Sequence, residues 1–163
     1  MKIPFTKAHG AWNDFLLSWA HEVPAVGQRL IAEAICRRHT GVGADGWMIV
    51  SPTSGNDHGA IRLYNSDGSD SEISGNGTRC AAAFLLANGL DVDEVRIATG
   101  AGTKHLRLLD RQGMCFRFEM EMGAPSCQPE QIRYPLDVDG AILDATILNV
   151  GNPQCAVFVD EFP

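Results

Sequence analysis

The stretch Asn65-Ser66-Asp67-Gly68-Ser69-Asp70-Ser71-Glu72-Ile73-Ser74-Gly75-Asn76-Gly77-Thr78-Arg79-Cys80 runs straight into Ala81-Ala82-Ala83-Phe84-Leu85-Leu86. It reads as a polar loop feeding a buried helix over about Thr78–Asn88. Ser74 stands where an N-cap belongs, Gly75, Asn76 and Gly77 form a first turn free of bulk, and Gly89 follows Asn88 as a C-terminal stop. Such a helix start suits an anion. Its unpaired N–H groups and the positive end of the dipole can hold a carboxylate, and glycines let the ligand approach the backbone.

Working outward, Gln28–His39 carries Leu30, Ile31, Ala34 and Ile35 at helical spacing, with Arg37, Arg38 and His39 expected in the last turn, where cations favour the dipole. Strands are expected at Lys2–Lys7 and Asn13–Trp19, around a His9–Asn13 turn, and at Trp47–Ser51 and Ile61–Tyr64, joined by a Pro52–Gly59 loop. After the central helix, Val95–Thr99, Lys104–Asp110 and Met114–Met120 read as a strand meander with Arg111-Gln112-Gly113 as a hairpin loop. Gly123–Pro135 has little periodicity and separates these strands from further strands over Ala141–Phe158.

With 163 residues and 45% hydrophobic content the chain can bury a sizeable core. Its 13 basic residues face 20 acidic ones for a formal net charge of -7, which argues against a nucleic-acid partner. No apolar run approaches the ~20 residues of a membrane span, and the start lacks an apolar signal region, so a cytoplasmic protein is expected. Five cysteines, an odd number without paired metal spacing, indicate neither a disulfide framework nor a metal site; most are expected to be buried hydrophobes.

The segments His9-Gly10-Ala11-Trp12-Asn13-Asp14-Phe15, His39-Thr40-Gly41-Val42-Gly43-Ala44-Asp45-Gly46, the block quoted above, Thr99-Gly100-Ala101-Gly102 and Val150-Gly151-Asn152-Pro153 occur in the order and approximate spacing of diaminopimelate epimerases. The chain resembles that family over nearly its whole length. The resemblance implies an α+β fold: two similar domains, each a barrel-like mixed sheet wrapped around a central helix, with the substrate in the cleft between them. Residues 1–122 would be the first domain, and 123–163 a linker and the opening strands of an incomplete second one. A full enzyme of this type would need a further half, supplied by a missing C-terminal segment or a separate chain; exposed apolar strands over Ala141–Phe158 would favour a homo-oligomer.

The family inverts an amino-acid α-carbon without a cofactor, using two cysteines, one from each domain, as acid and base. The first of those positions is here Ser74, and the family's partner histidine is here Gln154, which takes up no proton at neutral pH. By position, Asn13, Asn65 and Asn152 match asparagines that hydrogen-bond substrate, and Gly75 and Asn76 match the backbone donors that hold its carboxylate. Gly46 sits where many relatives have a ligand-contacting glutamine. Cys80 is expected to be a core thiol, Asp45 to order the Gly41–Gly46 turn, and His9, Arg79, Lys104 and His105 to serve turn, surface or strand roles.

Three functions stay open on the sequence. One is an isomerase of the diaminopimelate epimerase type, acting in lysine and peptidoglycan precursor synthesis on a small amino-acid substrate. The second is an inactive amino-acid-binding or interaction relative, and the third a racemase of another amino acid.

Overall fold

The computed structural model describes residues 2–161, and the chain divides into two compact units between Glu121 and Met122.

The first unit is a curled mixed sheet around one helix. Its strands are β1 (Thr6–Gly10), β2 (Asn13–Trp19), β3 (Gly46–Pro52), β4 (Gly59–Asn65), β5 (Asp70–Ser71), β6 (Glu94–Thr99), β7 (Gly102–Gln112) and β8 (Cys115–Glu121). They run in the order β1-β2-β3-β4-β6-β7-β8, with β5 added on β4. Helix α1 (Gln28–Cys36) makes the crossover that lets β2 and β3 pair in parallel, and helix α2 (Gly75–Ala87) precedes β6, which pairs in parallel with β4. Helix α2 touches every strand of the path from β1 to β8, so the sheet wraps around it, as the α+β expectation held.

Side-chain alternation explains why β2 and β3 are almost continuously apolar. Phe15, Leu17, Met48 and Val50 face α2 in one core, whereas Leu16, Trp47 and Ile49 join Ala32 and Cys36 of α1 in a second core on the other face. The buried Ser18 between them is fully used: its hydroxyl donates to Pro4 O at 2.7 Å and accepts from Trp47 Nε1 at 3.1 Å. Helix α2 ends in a Schellman motif. Gly89 adopts φ 102°, Leu90 N–H reaches Leu85 O at 3.1 Å, and Gly89 N–H reaches Leu86 O at 3.4 Å.

Several sequence expectations need correction. Strand β1 starts at Thr6 rather than Lys2, since Pro4 has no N–H for a ladder and its carbonyl is engaged by Ser18. Helix α1 stops at Cys36. Val42 and Gly43 N–H groups return to Ile35 O at 2.8 and 3.0 Å, and Ala44 N–H to Cys36 O at 3.1 Å, so the loop takes the last carbonyls and releases Arg38 and His39 from the helix. Leu30 lies 73% exposed and Ala32 takes the buried place instead. The β7–β8 turn is shorter than expected, with Gln112 already paired to Cys115. Only Cys36 and Cys80 are buried; Cys115 and Cys155 are exposed and Cys127 is intermediate.

The second unit holds an antiparallel meander of β9 (Tyr134–Val138), β10 (Ala141–Asn149) and β11 (Pro153–Val157), in the order β11-β10-β9. Strand β9 was not anticipated. Ala145 is its buried centre, whereas Ile142 and Phe158 are exposed at 63% and 92%.

Candidate functional site

Strand register brings the first unit's candidate residues to one end of the sheet. Gly46 pairs with Phe15 on one side and Asn65 on the other, so the start of β2, the start of β3 and the end of β4 lie side by side. The loop after β4 is held there by Ser66 N–H donating to Asp45 O at 3.0 Å. The same end receives the start of α2. A Cβ on Gly10 would stand 3.4 Å from Asn76 O, so the β1–β2 hairpin lies close against the helix's first turn.

Ser74 is the N-cap of α2, with extended backbone (φ -133°, ψ 118°), and its hydroxyl oxygen accepts from Gly77 N–H at 3.1 Å. Thr78 bonds back to Ser74 O through both N–H and Oγ1, each at 2.8 Å. Gly77 is closely packed: a Cβ there would stand 2.7 Å from Met48 Cε and 3.3 Å from the Phe15 ring, so any larger residue would have to displace the Met48 terminus. Gly75 and Asn76 supply first-turn N–H groups that have no acceptor within the helix. Both residues, like Ser74, are partly exposed.

A directional chain of hydrogen bonds surrounds this turn. Arg79 donates to Asn76 Oδ1, Asn76 Nδ2 donates to Asn13 Oδ1 at 3.4 Å, and Asn13 Nδ2 donates to Asp45 Oδ2 at 2.7 Å. Arg38 bridges Asp45 at 2.7 Å and Asp14 at 2.8 Å, and Lys7 Nζ stands 3.1 Å from Asp14. Above all the Arg38 guanidinium, with Lys7, holds the Asp14 carboxyl well below the usual carboxylate range against the opposing effect of burial. The two Asp residues in turn raise Arg38, Asp14 foremost. Asp45 therefore does more than order its own turn, and half-buried Arg79 is hydrogen-bonded to the first turn of α2. The Arg38, Asp14 and Ser69 contacts were not read from the sequence; the recurrence of Asp beside Asn in Asn13-Asp14 and of Ser and Asp after Asn65 is the only local signal for them.

Asn65 is exposed, and its amide Nδ2 donates to Ser69 Oγ at 2.9 Å. At Gly46 no side chain fits the present backbone, since a Cβ would stand 2.8 Å from Tyr64 O. Cys80 is buried, and desolvation pushes its thiol up to about 11, which leaves it protonated and inert. His9 stacks on the exposed Trp12 with centroids 5.4 Å apart, at a hairpin turn where Ala11 and Trp12 both adopt left-handed φ of 52° and 67°. His105 is an exposed residue of β7. Lys104, also on β7, is partly buried.

Asn152 and Gln154 belong to the second unit, both exposed, and Gln154 Nε2 donates to Asn152 Oδ1 at 3.0 Å. Among the described residues no group of three or more His, Cys, Asp or Glu side chains could hold a metal ion. No described helix is long and apolar enough to cross a membrane.

Structural comparison shows the same fold in a hydroxyproline epimerase from Agrobacterium vitis, with a TM-score of 0.71 at 14% identity over 94% of this chain and 50% of that one. A probable proline racemase from Agrobacterium radiobacter K84 gives 0.72 at 15% identity, over 96% and 52%. In sequence, the diaminopimelate epimerase of Pelotomaculum thermopropionicum is 35% identical over 170 residues, covering 96% of this chain and 60% of that protein. Diaminopimelate epimerase 1 of Nostoc sp. is 37% identical over 179 residues, covering 99% and 62%. The chain thus spans about 60% of the length of the curated relatives it matches. The family model described as diaminopimelate epimerase matches residues 5–127, a span that takes in the β1–β2 hairpin, the capped start of α2 and the rest of the curled sheet, and ends in the first residues of the second unit. On that match, and on relatives more than a third identical along almost all of its length, the chain belongs to the diaminopimelate epimerase family.

Proposed function

We propose that this chain carries the first-domain half of a cofactor-independent amino-acid epimerase site, binding a substrate with free α-amino and α-carboxylate groups in lysine and cell-wall precursor synthesis. The observation that carries the reading is the glycine-lined start of α2, capped by Ser74 and flanked by Asn13. The α-carboxylate is held there by Gly75 and Asn76 N–H groups and the helix dipole. Asn65 adds a further polar contact. This is the work of a soluble cytoplasmic enzyme.

Inversion needs a base on one face of the α-carbon, an acid on the other, and stabilisation of the negative charge between them. Ser74 is a weak participant. An alcohol is far less acidic than a thiol, whose reference pKa is about 8.5, so Ser74 is not present as an anion able to abstract a proton. Its oxygen, accepting from Gly77 N–H at 3.1 Å, keeps its own proton as a donor to ligand. This half therefore binds and orients, and proton transfer depends on a group from the opposite face.

The test is α-proton exchange in deuterium oxide, followed by NMR, in a protein that joins this chain to the second domain of a family member. Ser74→Cys should exchange faster than the Ser74 parent, because a thiol serves as acid and base where the alcohol does not. If Ser74→Cys does not exchange while still binding substrate, the site is an amino-acid-binding module and the epimerase reading fails.

A further inference from the structure

Asparagine amides are two-ended, and which end faces a ligand decides what they recognise. Here the amide nitrogens of Asn13 and Asn65 are already engaged. Asn13 Nδ2 lies 2.7 Å from Asp45 Oδ2, a carboxylate oxygen that can only accept, so the nitrogen must be on that side. Asn65 Nδ2 lies 2.9 Å from Ser69 Oγ. That hydroxyl gives its single proton to Asp67 Oδ1 at 2.6 Å, so toward Asn65 it can only accept. Both amides are thus turned by a carboxylate, directly or through one hydroxyl.

The carboxylates are themselves fixed. Asp45 is bonded by Arg38 at 2.7 Å and by Asp14 N–H at 3.0 Å. Asp67 accepts from Ser69 N–H at 2.9 Å as well as from its hydroxyl, and these bonds, the hydroxyl foremost, hold its carboxyl below the ordinary range. Asn13 Oδ1 is turned toward the α2 start, where the 3.4 Å contact from Asn76 is long enough to leave a lone pair available. Asn65 pairs with Gly46 across β3–β4 and Asn13 bonds Asp45, so the two amides flank the Asp45–Gly46 junction.

We infer that Asp45, and Asp67 acting through Ser69, are positioning residues that present the carbonyl oxygens of Asn13 and Asn65 as acceptors for the ammonium group of a ligand whose carboxylate sits on the α2 N-terminus. The inference rests on the carboxylate-site reading above. It assigns the two ends of the amino acid to different elements: helix dipole for the anion, aspartate-locked amides for the cation.

The probes are diaminopimelate and pimelate, which share a carbon chain and carboxylates and differ in the amino groups, each titrated into the chain by NMR. Diaminopimelate should bind about tenfold more tightly than pimelate, the scale of hydrogen bonds to a charged group in a half-exposed site. Asp45→Asn, which offers Asn13 an amide in place of a carboxylate, and Ser69→Ala, on an exposed loop where folding is not at stake, should each shrink that preference without weakening pimelate. Ser69→Thr, which keeps the hydroxyl, should retain it. A preference unchanged in both Asp45→Asn and Ser69→Ala, or no preference in the parent chain, overturns the inference. If neither compound shifts the Gly75–Gly77 amides, the carboxylate reading fails and the ammonium role with it. The positioning itself is decided without ligand: the Asn13 Nδ2 protons should exchange with solvent more slowly in the parent chain than in Asp45→Ala, and equal rates would refute it.

Discussion

Replacing Ser74 separates its structural from its ligand-facing role. Ser74→Ala removes the oxygen that accepts Gly77 N–H at 3.1 Å, and Gly77 is buried, so that donor has no ready water. Loss of a Ser cap costs about 1 kcal/mol, within a range of about 0.5–2, and the stranded donor places this site toward the upper end. A melting temperature lower by about 3–6 °C follows for a chain of this size. Ser74→Asp keeps the cap and adds a favourable charge at the positive end of α2, worth about 0.3–1 kcal/mol, so its melt should match or exceed the parent. The same carboxylate faces any anion bound at the turn. At about 4–5 Å and an effective dielectric between that of water and about 20, the repulsion is about 1–4 kcal/mol, enough to weaken pimelate binding about tenfold. Thermal melts and a pimelate titration of the two variants are the assay. A Ser74→Ala melt indistinguishable from the parent, or Ser74→Asp binding pimelate as well as the parent, would refute the reasoning.

Asp14 sets an acid limit: its folded-state carboxyl titrates below its unfolded value, so its contribution is full above about pH 5 and is lost as pH falls below about 4. Asp14→Asn should lower stability by about 1–3 kcal/mol at pH 7 and flatten the acid limb of a urea-midpoint profile measured against pH. Alkylation with iodoacetamide should label Cys115 and Cys155 rapidly in the native chain and spare Cys36 and Cys80, both buried with thiols pushed up to about 11, until urea unfolds it; mass spectrometry reads the sites. Leu30→Gln, at a position 73% exposed, should be nearly neutral, whereas Leu16→Ala, at 0%, should cost about 2–5 kcal/mol in denaturant unfolding.

What was legible in the sequence was local. Ser74, the three small residues after it and the apolar run to Leu86 state a capped, buried helix in consecutive residues, and α2 is found at Gly75–Ala87. Strand β2 occupies the expected Asn13–Trp19 for the same reason, a short apolar run between a turn and a polar segment. The misreadings came from partners distant in sequence. Helical spacing could not show that residues 42–44 fold back to take the carbonyls of Ile35 and Cys36 and so end α1 early. Nor could it tell how wide the buried face is, which is why Leu30 looked like core and Ala32 did not. Strand β9 contains Pro135 and little alternation, and only its pairing with β10 makes it a strand.

The site divides along the same line. Ser74, Gly75 and Asn76 belong to a single turn and could be read together, whereas the Asn13–Asp45 bond spans 32 residues and the Asn76–Asn13 contact 63. Such contacts arise from register: Phe15 and Asn65 both pair with Gly46, which sets three loops side by side at one end of the sheet. The orientation of an amide, and hence what it recognises, depends on those neighbours and has no signature in the residue itself.

The most direct test of the carboxylate site is a diaminopimelate titration of the nitrogen-15-labelled chain, following the backbone amides of Gly75, Asn76 and Gly77 and the side-chain amide of Asn13. The account predicts saturable shifts at all four with one common dissociation constant. No shift at the α2 start, or saturable shifts confined to residues away from it, would contradict it.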